Sequence, residues 1–277
     1  MSIRIVADSE SDLFSLEGVD YTTVPLKVRI GDTEYVDDGS VDTQQMMEHM
    51  RSEKTASTTS CPNVQEWISA FAGSEEVFCI TISGALSASY ESCCLAADHY
   101  REQHPDAKIH IFDSKGTGAH EAMIIRHLAE CIKAGMSFDE TLKDTLAFYD
   151  RIHILYIIAS LDNLAKNGRV SASVAKLTSL LGIRVVGRAT PKGEIDIFAK
   201  KRGEKQALAT VVREMEKFVS IGPNVCIDHV LNPRGAKALA DLVCKTFDNV
   251  RVTIAETGAL CTYYADMGGL ILSFEEA

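Results

Sequence analysis

The chain has 277 residues, 46% hydrophobic and 24% charged, with a mean hydropathy of +0.01, which excludes a disordered chain and a membrane-embedded one. Its formal net charge of −11, with 28 lysines and arginines that form no dense cluster, argues against nucleic acid as a partner and favours a small molecule or another protein. Eight cysteines occur without a CxxC pair or a histidine at metal-ligand spacing, the usage of small core residues in a reducing compartment.

In chain order, "MSIRIVADSE" enters an alternating apolar run with no basic start and no signal core, so a cytoplasmic protein is expected. "IRIVADS" reads as a first strand. "YTTVPLKVRIGDTEYVDDGSVD", punctuated by Pro25, Gly31 and Gly39, reads as a hairpin-like excursion before the helix "TQQMMEHMR". "TASTTSCPNVQEW" places hydroxyls ahead of a helix with Pro62 in its first turn; Ser60 is the expected N-cap, which leaves Thr58 or Thr59 free to face a crevice.

Three further strands are read at "EVFCITIS", "KIHIFDS" and "HILYIIAS", with helical patterns between all four, the order that builds a parallel sheet covered by helices. Each of the four ends in a hydroxyl residue, Ser9, Ser83, Ser114 or Ser160, where an open parallel sheet lines its ligand crevice. The most apolar segment, residues 154–161, falls far short of the roughly 20 residues that cross a bilayer. No stable membrane anchor is expected.

A boundary falls near residues 160 to 165. Beyond it, "LDNLAKNGRVSASVAKLTSLLG" reads as a helix, an Asn-Gly stop and a second helix, and "IRVVGRATPKGEIDIFAKKRG" as antiparallel strands. A helix over 204–219 and two more strand–helix pieces follow, ending in "GGLILSF".

Several motifs fail their chemical test. "ADSESD" is no EF-hand, because Leu13 stands where the loop needs glycine; Asp8, Ser9 and Asp12 more simply satisfy backbone donors. "DSKGTGAHE" has a GxG but Glu121 in place of the third glycine of a dinucleotide fingerprint. In "ITISGALSASYESC" neither Ser83 nor Ser87 has the flanking glycines of a nucleophile elbow, and no histidine is adjacent in sequence. A helix start favours a bound carboxylate or phosphate instead, with Ser87 as a donor to it. Arg169 reads as a surface ion pair or an anchor between domains, His229 as a hydrogen-bonded strand-end residue, and Arg202 as part of a solvated basic turn. From the residues alone, a serine-dependent esterase or anion-binding transferase stays open, as does a scaffold without bound lipid.

Taken in order, these segments resemble the DegV family of bacterial fatty-acid-binding proteins over essentially the whole chain. "ADSESD" is similar to the family's D-S-x-x-D, "VPL" to its P-L, "TSCP" at Thr59 to Pro62 to its T-S-Q-P, "LSASY" at Leu86 to Tyr90 to its L-S-G-T-Y, "FDS" to its D-S, and "LDNLAKNGRV" to its L-x-N-L-x-K-G-G-R-I. The resemblance implies two α/β domains. Residues 1–162 would form a Rossmann-like domain with a mainly parallel sheet that carries the carboxylate-binding residues. Residues 163–277 would form a two-layer α/β domain with a mixed sheet covering the acyl-chain pocket.

It also implies a carrier with no catalytic residue, no metal and no cofactor. A long-chain fatty acid would be held by Thr59 and Ser87. Ser60, Ser114, Arg169, Arg202, His229 and Tyr263 are candidates for additional ligand or partner contacts. In some members the bound acid is delivered to a separate fatty acid kinase subunit, which forms acyl phosphate for phospholipid synthesis. This chain departs from the pattern at Cys61, Ala88, Ser89 and "IRVV" over 183–186. The C-terminal H-x-G-P-G is absent, with "YYADM" in its region and Tyr263 at or next to the histidine position. That loss leaves fatty-acid binding as the expectation and weakens the expectation of a kinase partner.

Overall fold

A computed structural model of the chain describes residues 3–53, 55, 57–175 and 182–277. Strand β1 (Arg4–Asp8) runs into a 3-10 turn (Ser9–Ser11) and is followed by β2 (Asp20–Val24), β3 (Lys27–Ile30), β4 (Thr33–Val36), α1 (Thr43–Ser52) and β5 (Ser57–Ser60). Next come α2 (Val64–Phe71), β6 (Glu76–Thr81), α3 (Ser89–Gln103), β7 (Lys108–Asp113), α4 (Ala119–Lys133), α5 (Phe138–Tyr149) and β8 (Ile152–Ile158). The remainder holds α6 (Asp162–Lys166), α7 (Ala172–Ala175), β9 (Ile183–Ala189), β10 (Ile195–Arg202), α8 (Glu204–Met215), β11 (Ile221–His229), α9 (Pro233–Thr246), β12 (Arg251–Glu256), α10 (Ala259–Ala265) and β13 (Leu270–Glu276). Most of the second helix read in 161–182 lies outside the described residues.

Three sheets result: a parallel one in the order β2-β1-β6-β7, a mixed one in the order β10-β9-β8-β13-β11-β12, and a small antiparallel one, β4-β3-β5. The mixed α/β architecture is the expected one. β1 alternates its side chains between two cores. Ile5 and Ala7 join α4, α5 and the inner face of the mixed sheet, while Val6 packs with Trp67, Phe71 and Tyr100 of α2 and α3. The outer face of the mixed sheet is covered by α8 and α9 through residues such as Leu208, Val211 and Leu239. A small fourth core joins Leu26, Val28 and Met46 to Leu260 and Tyr263 of α10.

Two sequence expectations are corrected. β8, read as the fourth parallel strand, sits inside the mixed sheet, antiparallel to β9 and to β13. Its fourth place in the parallel sheet is taken by β2, with Ile5 opposite Tyr21. The physical reason is that β8 is apolar on both faces: Ile154, Tyr156 and Ile158 enter one core, Leu155 and Ile157 another. Such a run marks a strand buried on both sides and says nothing of which sheet it joins. The sheet of residues 163–277 thus includes a strand from residues 1–162.

The second correction concerns the start of α2. Asn63, not Ser60, is the N-cap, closing a capping box with Glu66, so Pro62 lies before the helix. Ser60 belongs to β5, whose hydroxyl-rich stretch pairs with β3 in the register Val28 opposite Thr59.

Candidate functional site

The parallel strands β1 and β6 end beside the inner face of the mixed sheet, and a cavity of about 250 Å³ lies there, just below the range of about 300–1,000 Å³ usual for ligand pockets. Its walls are largely apolar, with Leu26, Ile82, Ile158, Leu164 and Ile271 among them. Thr59, Ser60, Ser87 and Arg169, four of the residues singled out in the sequence, line the same cavity.

Thr59 gets there by strand alternation. On β5, Ser57 and Thr59 are half-buried while Thr58 and Ser60 are exposed. Thr59 Oγ1 lies 2.7 Å from the Tyr264 hydroxyl, and Ser57 Oγ 2.7 Å from that of Tyr263. Tyr263 is fully buried, its hydroxyl also accepting from Asn167 Nδ2 at 2.9 Å, so it supports the wall from behind. Of these two tyrosines of α10, Tyr264 lines the cavity. The sequence reading missed it; the tyrosine pair in "YYADM" was the available signal, and only the helical turn of α10 decides which ring faces inward.

Ser87 sits in the turn before α3. Its amide donates to the Ser83 carbonyl at 3.1 Å and its Oγ accepts from the Ser89 amide at 3.2 Å. The N-cap of α3, Ala88, offers no side-chain cap, and both Ser87 and Ala88 line the cavity. The neighbouring serines have structural roles. Ser83 Oγ donates to the Gly193 carbonyl at 2.9 Å, tying this turn to the β9–β10 hairpin. Gly193 has φ +81°, and a Cβ there would collide with Ser83 Oγ, so only glycine lets the hairpin come this close. Ser89 Oγ donates to Asp8 Oδ2 at 2.6 Å. None of the three serines has a histidine partner among the described residues, so the arrangement offers no activated nucleophile.

Arg169 binds backbone carbonyls, and its hydrogen bonds among the described residues include no carboxylate. Its Nε donates to the Leu86 carbonyl at 2.8 Å, its Nη1 donates to the Asn167 carbonyl, and the guanidinium carbon lies 5.9 Å from the Tyr264 ring centre. The other candidates stand apart. Ser114 is buried beside a second cleft, donating to the Gly116 carbonyl; Arg202 is exposed at the end of β10; and His229 is buried at the end of β11, where burial lowers its pKa. None of these three lines the cavity described here.

Beneath the cavity lies a set of buried carboxylates. Asp8 Oδ2 accepts from the Ile82 amide at 3.0 Å and Asp12 Oδ1 from the Gly258 amide at 2.7 Å, so "ADSESD" does satisfy backbone donors, though distant ones. Asp37 accepts from the Ala259 and Leu260 amides at 2.7 and 3.3 Å and from Ser9 Oγ at 3.0 Å, pinning the start of α10 to β1 and to the end of β4. Glu10 lines the cavity, its Oε1 accepting from Thr117 and from Cys261 Sγ. Burial is the main cause of raised pKa values throughout: about 6 for Asp8 and Asp37, about 7 for Asp228 and about 8 for Glu10.

Asp37→Ala leaves three donors without their acceptor next to the tyrosines of α10. At roughly 1–3 kcal/mol for each unsatisfied buried group, relieved in part by water, a loss of about 3 kcal/mol is expected by urea denaturation. Asp37→Asn, which keeps one acceptor, is expected to recover about half of it.

The chain matches the model of the DegV family, described as uncharacterised proteins, over residues 2–276. A DegV domain-containing protein of Streptococcus pneumoniae is 34% identical over 279 residues, covering 99% of each chain. Among solved structures, the Fatty Acid Kinase (Fak) B3 protein of Streptococcus pneumoniae, loaded with linoleic acid, is 34% identical with a TM-score of 0.97 over 100% of both chains. A DegV family protein from Eubacterium eligens loaded with heptadecanoic acid is 35% identical with a TM-score of 0.96, again over 100% of both. No helix among the described residues is long and apolar enough to cross a membrane.

Proposed function

The chain belongs to the DegV family, and from that premise we propose that it binds a long-chain fatty acid, its carboxylate on Thr59 Oγ1 and Ser87 Oγ and its acyl chain along the apolar cavity walls. The observation that carries this reading is the meeting of two hydroxyls and one guanidinium with an otherwise largely apolar cavity. Two relatives of matching fold hold linoleic and heptadecanoic acid. Burial of an acyl chain at roughly 0.8 kcal/mol per methylene contributes on the order of 10 kcal/mol gross for about fifteen methylenes, before ordering costs. The tail therefore sets affinity. The hydroxyls, each contributing about 1–3 kcal/mol to a charged head group, set orientation.

In this reading Thr59 and Ser87 come from a first domain, residues 1–162, while Arg169, Ile195 and α10 come from a second, residues 163–277, and help to close the chain in. Tyr264, bonded to Thr59, is a positioning residue for the head group. The protein is a carrier that presents its acid to a separate kinase subunit, as the kinship with a fatty acid kinase B protein suggests, and performs no chemistry itself. It acts in the cytoplasm, a compartment in which its eight free cysteines stay reduced. Gentle purification, organic extraction and mass spectrometry should release close to one long-chain fatty acid per chain. Protein that emerges lipid-free and takes up no added fatty acid would overturn the proposal.

A further inference from the structure

Outside the cavity, three side chains of metal-ligand chemistry converge between α4 and α5. His127 and Cys131 stand four residues apart on α4, which puts both on one face of the helix, and Asp144 reaches them from α5. Asp144 Oδ1 lies 2.7 Å from His127 Nε2 and 3.5 Å from Cys131 Sγ, and the ligand atoms of all three lie within 4.8 Å of one another. The spacing of His127 and Cys131 carries no metal signal in the linear chain; it acquires one only when the helix forms and a second helix supplies the acid.

A hydrogen-bonded pair of His127 and Asp144 accounts for two of the three groups. It leaves unexplained why the thiol of a buried cysteine points at the same carboxylate oxygen. Tetrahedral zinc holds nitrogen and oxygen ligands at about 2.0–2.2 Å and sulfur at about 2.3 Å, which sets neighbouring ligand atoms roughly 3.2–3.8 Å apart. The sulfur–oxygen distance already meets this, and the nitrogen–oxygen contact has to widen by roughly 0.5 Å. Asp144, with its side chain 51% exposed, has the room to swing. The His127 ring is held by its stack on Phe148, at 4.1 Å between centroids and 1° between planes.

We propose that His127, Cys131 and Asp144 form a site for a borderline divalent cation, zinc foremost, with water in the fourth position. Thiolate, imidazole and a single carboxylate suit zinc, whereas magnesium and calcium take oxygen ligands throughout. On binding, Cys131 Sγ releases its proton to solvent and bonds as thiolate, His127 bonds through neutral Nε2, and the ion offsets the negative charge that Asp144 places beside the sulfur. The ion would join α4 to α5. None of the three residues lines the fatty-acid cavity, so the site stands independently of the carrier role.

The test uses the full chain, stripped with a chelator and titrated with Co2+, which takes zinc sites and reports its ligands in its spectrum. Close to one cobalt per chain should bind, with the visible bands of a tetrahedral ion and a near-ultraviolet thiolate-to-cobalt band, and added zinc should displace it. Cys131→Ser should abolish the thiolate band, and His127→Gln and Asp144→Asn should each weaken cobalt binding by about tenfold or more. Asp144→Asn, at a half-exposed position, serves if Cys131→Ser does not fold. Wild-type protein that gives no thiolate-to-cobalt band near one equivalent overturns the proposal. So does a band that survives in Cys131→Ser, or cobalt binding that Asp144→Asn leaves unchanged, either of which would put the ion on other thiols such as the exposed Cys244.

Discussion

Thr59→Ala/Ser87→Ala weakens fatty-acid binding by about two orders of magnitude while leaving the protein folded. Both hydroxyls stand in one cavity wall, and a carboxylate accepting from them gains about 1–3 kcal/mol from each, because the acceptor is charged. Losing both costs about 2–6 kcal/mol, and each 1.4 kcal/mol is tenfold, so the expected weakening spans roughly 30-fold to more than a thousandfold. Binding does not vanish, since the acyl chain keeps its burial. The structural cost is small: Thr59 loses a bond to Tyr264 and Ser87 a turn contact to the Ser89 amide, both in half-buried positions. Titration calorimetry with a saturated and a monounsaturated acid checks this, and a double variant that binds both like the wild type removes these residues from the head-group site. Thr59→Ser, which keeps the hydroxyl, should lose less than threefold.

Half of the site was readable in the chain: "LSASY" follows the strand read at "EVFCITIS", and the end of such a strand borders the crevice of an open parallel sheet. Thr59 instead comes from β5 of the small antiparallel sheet, where the sequence offered only surplus hydroxyls ahead of a helix. What stayed hidden depends on contacts between distant segments. Tyr264 reaches Thr59 across a separation of 205 residues, and which of two adjacent tyrosines faces the cavity depends on how a seven-residue helix docks. β8 was recognisable as a strand, but its apolar character on both faces gave no hint of its sheet. The capping box of α2 is locally encoded in Asn63 and Glu66, beyond the Ser60 and Pro62 that suggest an earlier start. The acids of "ADSESD" looked like a local turn, whereas two of them hold amides of Ile82 and Gly258, 74 and 246 residues away.

Those acids carry the other large effect: the protein loses stability as pH rises from about 5 to 8.5. Asp8, Asp37, Asp228 and Glu10 titrate in the fold at about 6, 6, 7 and 8, and Asp12 and Glu121 are raised well above the ordinary carboxylate range, in every case first by burial. In the unfolded chain the same groups titrate near 3.9–4.3. A raised folded pKa means that the fold holds protons the unfolded chain has released. The stability this provides is fully present below about pH 4 and is lost as pH climbs through the folded values. Arg126 offsets part of the shift at Asp228, and three histidines oppose the trend on the acid side: burial lowers His120 to about 3 and also lowers His110 and His229, so their contribution falls away below pH 6.5. Six acids, their carboxyl groups all fully or almost fully buried, outweigh three histidines, of which only His120 is shifted far. For Glu10 alone, a rise from 4.5 to about 8 corresponds to on the order of 5 kcal/mol, and the set loses less than the sum because neighbouring charges share one environment. At about 2–4 °C per kcal/mol for a chain near this size, the midpoint of thermal unfolding should fall by roughly 10 °C or more between pH 5 and pH 8.5. Glu10→Gln, which cannot ionise, should flatten the upper half of that slope, above pH 6.5. A midpoint that holds constant or rises across this interval would mean that the carboxylates are ionised in the fold and neutralised by partners other than their own protons.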